Sequence, residues 1–279
     1  MLFKTEANVS WSEVASDEAN YKKYVSSGAA STAYVYVHNN VSTDVLRGSA
    51  TQAETISADN DLVYGVTLTN GASSMLDYSD QLGAVRVNLS ATRYNGVASH
   101  TAVMTASNTS VVDTLAEDGV TGLSTIEWVK TGAGDDWLIG SSLANRIEGG
   151  LGNDWLQGGL GDDTLVGGLG NDTADFSDAT SGVTVVLNGD ALGTANSSST
   201  GNDSLYSIET VLGSSSADNI SVGAGDTNAN WFDGGAGADT ILAGAGNDVV
   251  VYDAIDTSVA GGTGTDTLWI RDEVVNLAA

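Results

Sequence analysis

The sequence predicts an all-β fold of the solenoid kind, in which short strands joined by glycine-rich turns stack coil upon coil. Three observations carry this. A nine-residue period runs through two stretches of the 279-residue chain. One column of that period is apolar in every row. The chain holds 35 Gly and no Pro, and its acids divide into 27 Asp and 9 Glu, a bias toward the shorter carboxylate that suits turns and hard-cation ligands.

The first array starts at Thr131 as TGAGDDWLI, GSSLANRIE, GGLGNDWLQ, GGLGDDTLV and GGLGNDTAD, ending at Asp175. The second starts at Gly213 with GSSSADNIS and resumes after Val222 to Ala224 as GDTNANWFD, GGAGADTIL, AGAGNDVVV, YDAIDTSVA and GGTGTDTLW, ending at Trp269. The eighth position of the rows reads Leu138, Ile147, Leu156, Leu165, Ala174, Ile220, Phe232, Ile241, Val250, Val259 and Leu268. Such a column is a core. The first six residues of a row must turn sharply, which glycine permits through positive φ, and the last three form a strand. Two rows then close one coil of a flattened right-handed roll, and rows n and n+2 stack at the ordinary sheet spacing of about 4.8 Å.

Stacking at that distance brings the sixth-position side chains together. Asp136, Asp154 and Asp172 fall on one edge, and Asp163 stacks over Asn145 on the other. In the second array Asp218 pairs with Asp239, and Asp248 with Asp266; Asn230 precedes Asp248 and Thr257 follows Asp239. Two carboxylates so close repel, and a hard cation with oxygen ligands turns the repulsion into cohesion. Four acidic pairs predict at least four Ca2+ ions, with the Asn and Thr pairs weaker. By this register Asp154, shared by two acidic pairs, matters more than Asp163.

The rows resemble the RTX, or haemolysin-type, calcium-binding nonapeptide G-G-x-G-x-D-x-U-x, complete in tandem from Gly149, Gly158 and Gly167. The resemblance implies a parallel β-roll. It also implies that backbone carbonyls of the turn glycines complete each shell: Gly132, Gly134, Gly150, Gly152, Gly159, Gly161, Gly168 and Gly170 in the first array, and Gly235, Gly237, Gly244 and Gly246 in the second. Export without an N-terminal signal, by a type I system that reads an uncleaved C-terminal one, follows from the same likeness, as does an extracellular location.

Residues 176–212 are expected to form a β-rich spacer, and its elements recur upstream. Asp77-Tyr78-Ser79-Asp80 matches Asp175-Phe176-Ser177-Asp178, and Ile126-Glu127-Trp128-Val129 matches Ile208-Glu209-Thr210-Val211. Residues 41–130 therefore read as a degenerate β-roll with its own spacer. In residues 1–40, Ser10 with Glu13 forms a capping-box pattern, followed by apolar residues at near-helical spacing and a stop at Gly28. A short helix and then a strand over Ala33 to His38 are expected to cap the solenoid. Residues 270–279 form a C-terminal tail.

The net charge of −27 disfavours nucleic acid and anionic membranes as partners. There is no Cys, hence no disulfide or thiolate site. No run reaches the length of a membrane span. His38 and His100 are the only histidines, and no H-E-x-x-H or G-x-S-x-G string occurs. The expectation is a non-catalytic, extracellular calcium-binding protein of the surface-layer, adhesin or matrix kind. It is expected to self-associate through turn-tip leucines (Leu151, Leu160, Leu169) and an open C-terminal edge. The alternative is the folding and secretion module of an exported enzyme or toxin. Trp137 and Trp155, two rows apart, are expected to stack, beneath the spacer or as a platform for a polysaccharide.

Overall fold

The computed structural model describes residues 84–90 and 126–271 throughout. Upstream of these it describes the backbone of strands between Ser10 and Ala116. Among the described residues every regular element is a strand, in a 15-stranded and an 11-stranded sheet. None is a helix, so none is long and apolar enough to cross a membrane.

Rows n and n+2 stack in parallel, and the apolar column falls in register. On the larger sheet Leu138 opposes Leu156, and Leu156 opposes Ala174. The run continues Ala174 to Val211, Phe232 and Val250. On the smaller sheet Val129, Ile147, Leu165 and Leu205 oppose one another in sequence, and beyond the spacer so do Val185, Ile220, Ile241 and Val259. Both columns point inward and form a single core cluster. Each strand is short, so each coil contributes one fully buried side chain per sheet, worth about 1.5–3 kcal/mol. Stability on this plan accumulates through neighbouring coils rather than within one.

The spacer does not interrupt the solenoid. Residues Thr184–Leu187, Gly193–Ser197 and Gly201–Tyr206 form an antiparallel meander inside the smaller sheet. Its last strand pairs with Thr164–Leu169 of the array before it, and its first with Asn219–Val222 of the array after it. The upstream spacer repeats this plan on the opposite sheet. There Val85–Asn88, Thr101–Ala106 and Thr109–Ala116 make the meander; the first strand pairs with Trp137–Ile139 and the last with Leu62–Tyr64. Further upstream, Val45–Arg47 runs parallel to Leu62–Tyr64, and Thr55–Ser57 to Ser74–Asp77.

The N-terminal helix expected from Ser10, Glu13 and Gly28 is corrected. Ser10–Val14 and Tyr21–Ser27 are antiparallel strands, followed by Tyr34–His38 as a third. The segment is rich in Trp, Tyr, Val and Ser, which favour a pleated ribbon over a helix once a neighbouring strand supplies hydrogen bonds. His100 and residues 272–279 lie outside the described residues.

Candidate metal centre

Each turn places its sixth residue at the foot of a strand, where the chain bends inward. Asp136, Asp154, Asp163, Asp172, Asp218, Asp239 and Asp248 are all at most 4 % exposed. Asp266, in the last described row, is exposed.

One carboxylate oxygen of each aspartate is committed to the stack. Asp154 Oδ1 accepts the backbone N–H of Asp136 at 2.8 Å, and Asp172 Oδ1 that of Asp154 at 2.8 Å. Asp136 Oδ1 in turn takes the N–H of Val85. In the second array Asp239 accepts from Asp218, Asp248 from Asn230, and Asp266 from Asp248. On the other edge of the first array Asp163 accepts from Asn145 at 2.7 Å.

The second oxygen is left over. The Oδ2 atoms of Asp136, Asp154, Asp163, Asp172, Asp239 and Asp248 are buried with no hydrogen-bond partner. A buried, unpaired carboxylate oxygen is costly, and six of them in periodic array mark where a hard cation fits. Space for the oxygen is kept by the first glycine of the row. A Cβ at Gly149 would come within 2.1 Å of Asp154 Oδ2, and one at Gly158 within 2.2 Å of Asp163 Oδ2.

Backbone carbonyls crowd the same turns. Gly152 lies at φ +124°, where a Cβ would come within 2.1 Å of the Gly134 carbonyl oxygen, and Gly170 at φ +148°, where one would come within 1.7 Å of that of Gly152. Gly168 stands likewise over the Gly150 carbonyl, Gly159 over Ser141, Gly235 over Ser214 and Gly246 over Asn228. Gly161 sits against Leu143 and Ala144, and Gly237 against Ser216. The carbonyl of Gly132 accepts the N–H of Leu151, and that of Gly244 the N–H of Thr263. Among the described residues no three His, Cys, Asp or Glu side chains converge on one point.

Electrostatics agree with the geometry. Burial raises the carboxyl of Asp136 to about 6, and that of Asp154 to about 7, where Asp136 and Asp135 add repulsion. Burial likewise lifts Asp172 and Asp239 to about 6. Asp163 goes highest, to about 8, through burial and then the charges of Asp203, Asp162 and Asp178.

Two pairings differ from the row register. Asp239 is followed not by Thr257 but by Asp256, whose Oδ1 lies 3.4 Å from the Asp239 nitrogen. The Asp239 carbonyl takes the N–H groups of both Thr257 and Ser258, and the strand register beyond is unbroken, with Thr240 opposite Ser258. Across the spacer, Glu209 Oε2 accepts the N–H of Asp172 at 2.9 Å, extending that edge toward Asn230.

A second ladder had a sequence signal that the row register passed over: Asp or Asn at the fifth position. Asn153 N–H donates to Asp135 Oδ1, Asn171 N–H to Asn153 Oδ1, and Thr265 N–H to Asn247 Oδ1, at 2.8–2.9 Å. The tryptophans also depart from expectation. Trp137 and Trp155 meet edge to face, with centroids 4.8 Å apart and planes at 87°, and Arg86 lies 5.5 Å from the Trp137 centroid. They present no flat two-ring platform.

Residues 121–142, 139–174 and 225–254 match the family model of the RTX calcium-binding nonapeptide repeat (four copies). No curated protein matches the chain. Stacked parallel coils, buried carboxylates with a spare oxygen and the matched rows lead to one identification: this chain carries RTX calcium-binding nonapeptide repeats.

Proposed function

We propose that the chain is a non-catalytic, extracellular structural protein that folds when calcium enters its turns and then self-assembles, as a surface-layer, adhesin or matrix component. The observation that carries this reading is the set of buried Oδ2 atoms without partners at Asp136, Asp154, Asp163, Asp172, Asp239 and Asp248. With −27 charges and one buried apolar side chain per row, the coils cannot close on hydrophobic burial alone. Calcium then contributes folding free energy directly. Where calcium is scarce the chain would then stay open. Self-assembly is supported by the exposed leucines Leu151, Leu160 and Leu169 at the turn tips (52 %, 51 % and 71 %).

Circular dichroism of the metal-stripped chain tests the reading: coil in chelator and β signal on calcium addition are expected. A β spectrum unchanged by chelator would overturn it. For assembly, sedimentation across a calcium titration is expected to show larger species, and a folded chain that stays monomeric at high concentration would refute that part.

A further inference from the structure

Between the two arrays, Ser198-Ser199-Thr200-Gly201-Asn202-Asp203-Ser204-Leu205-Tyr206 lies outside the matched residues. Its backbone nevertheless stacks as a row. Leu205 opposes Leu165 in parallel register, as eighth-position residues do. Gly201 has φ +117° and stands over the carbonyl of Gly161, the relation Gly152 has to Gly134. The N–H of Gly161 donates to the Thr200 carbonyl at 2.8 Å, as that of Gly152 donates to Leu169. Asn202 N–H donates to Asp162 Oδ1, and Asp163 N–H to Asp203 Oδ1, both at 2.8 Å. The fifth- and sixth-position ladders are thus both present, although the usual opening glycines are Ser198 and Ser199.

We propose that Asp163, Asp203 and Thr200 hold a further calcium ion, joining the last array row on this edge to the spacer. This rests on the calcium reading above. Two independent orphans point to a ligand. Asp163, 2 % exposed, has an unpartnered Oδ2 in its turn, and Thr200, 4 % exposed, has a buried hydroxyl without a partner in the turn stacked on it. Leucine occupies the third position in the facing row, at Leu160, and is 51 % exposed. A buried hydroxyl in its place is a polar group that needs an acceptor or a cation. Asp203 is itself 3 % exposed, and Asp162 and Asp178 add negative charge around the pair. A divalent oxygen-seeking cation answers all of these at once. The site also gives the spacer a role: it pins the returning strand of the meander onto the array. Upstream, Asp113-Thr114-Leu115-Ala116 ends the corresponding meander strand in the same backbone position, with Leu115 opposite Val63.

Calorimetric counting of calcium on the full chain tests the proposal. Asp203→Asn keeps an acceptor for the Asp163 N–H but removes the charge. It is expected to bind one ion fewer than the unmodified chain, and Asp163→Asn/Asp203→Asn together no fewer than Asp163→Asn alone. Thr200→Val leaves every carboxylate in place and is expected to weaken one site at least threefold without changing the count; it carries the test should Asp203→Asn fail to fold. Unchanged ion number and affinity in Asp203→Asn, or an unchanged isotherm in Thr200→Val, would overturn the site. An unmodified chain that binds no calcium would instead overturn the calcium reading itself.

Discussion

Asp154 holds the backbone N–H of Asp136 on Oδ1 at 2.8 Å while its other oxygen is buried without a partner. Protonation and calcium are therefore alternative ways of satisfying the same atom. Burial raises Asp154 to about 7 and Asp163 to about 8, well above the usual carboxylate range, so the folded metal-free chain binds more protons than the unfolded one between these limits. Stability of the metal-free fold is then fully present below the unfolded value and lost as pH rises through the folded ones. Metal-stripped protein is expected to gain β signal in circular dichroism on acidification from pH 8 toward 4. With calcium present the order inverts, since protons compete for the ligands, and affinity falls on the same descent. A metal-free spectrum independent of pH would count against this.

Gly170 and Gly225 should respond oppositely to alanine. A Cβ on Gly170, at φ +148°, would lie 1.7 Å from the Gly152 carbonyl oxygen, whereas one on Gly225 meets nothing within 4 Å. Gly170→Ala is expected to cost more than the ~1–3 kcal/mol of backbone strain alone, because a carbonyl of the neighbouring coil must also move. Gly225→Ala is expected to stay within about 0.5 kcal/mol of the parent. The calcium concentration at half-folding reads both.

Leu165 and Leu169 separate folding from assembly. Leu165 is fully buried between Ile147 and Leu205, and Leu165→Ala is expected to cost about 2–5 kcal/mol. Leu169 is 71 % exposed; Leu169→Ser combined with Leu151→Ser and Leu160→Ser is expected to fold at unchanged calcium and to sediment as smaller species.

Asn145 offers a gain rather than a loss. Its N–H donates to Asp163 Oδ1 and its Oδ1 accepts from Ser141 N–H at 2.7 Å. Asn145→Asp keeps that acceptor and adds a charge facing Asp163. One additional or tighter calcium site is expected by calorimetry, with a less stable metal-free fold. A variant whose isotherm matches the parent would contradict the pairing of these two turns as a cation site.

The roll was legible where the rows are strict, because Gly, Asp and an apolar residue recur at fixed places for separate physical reasons: positive φ, a charge at the turn, burial. Where one reason relaxes, the pattern fades while the geometry stays. Asp203 escaped notice since Ser198 and Ser199 stand where glycines were sought, and with it went the acidic neighbour of Asp163. Asp163 thus has one acidic neighbour where the row register gave it none, against two for Asp154. Asp256 was hidden because it stands one residue before the sixth position, where Thr257 was read as the partner of Asp239. At Ser10 to Val14 the capping pattern was local, and pairing with Tyr21–Ser27 overrode it.

The two turn ladders run in opposite senses. Sixth-position N–H groups reach toward the following coil, as Asp136 does to Asp154, while fifth-position N–H groups reach back, as Asn153 does to Asp135. A coil thus has two unlike faces, each the chemical mirror of the other: donors on one meet acceptors on the next only when both coils point the same way. Turning one coil over would set carboxylate against carboxylate and amide against amide. The stack is in this sense polarised like a zip with distinct teeth on either tape.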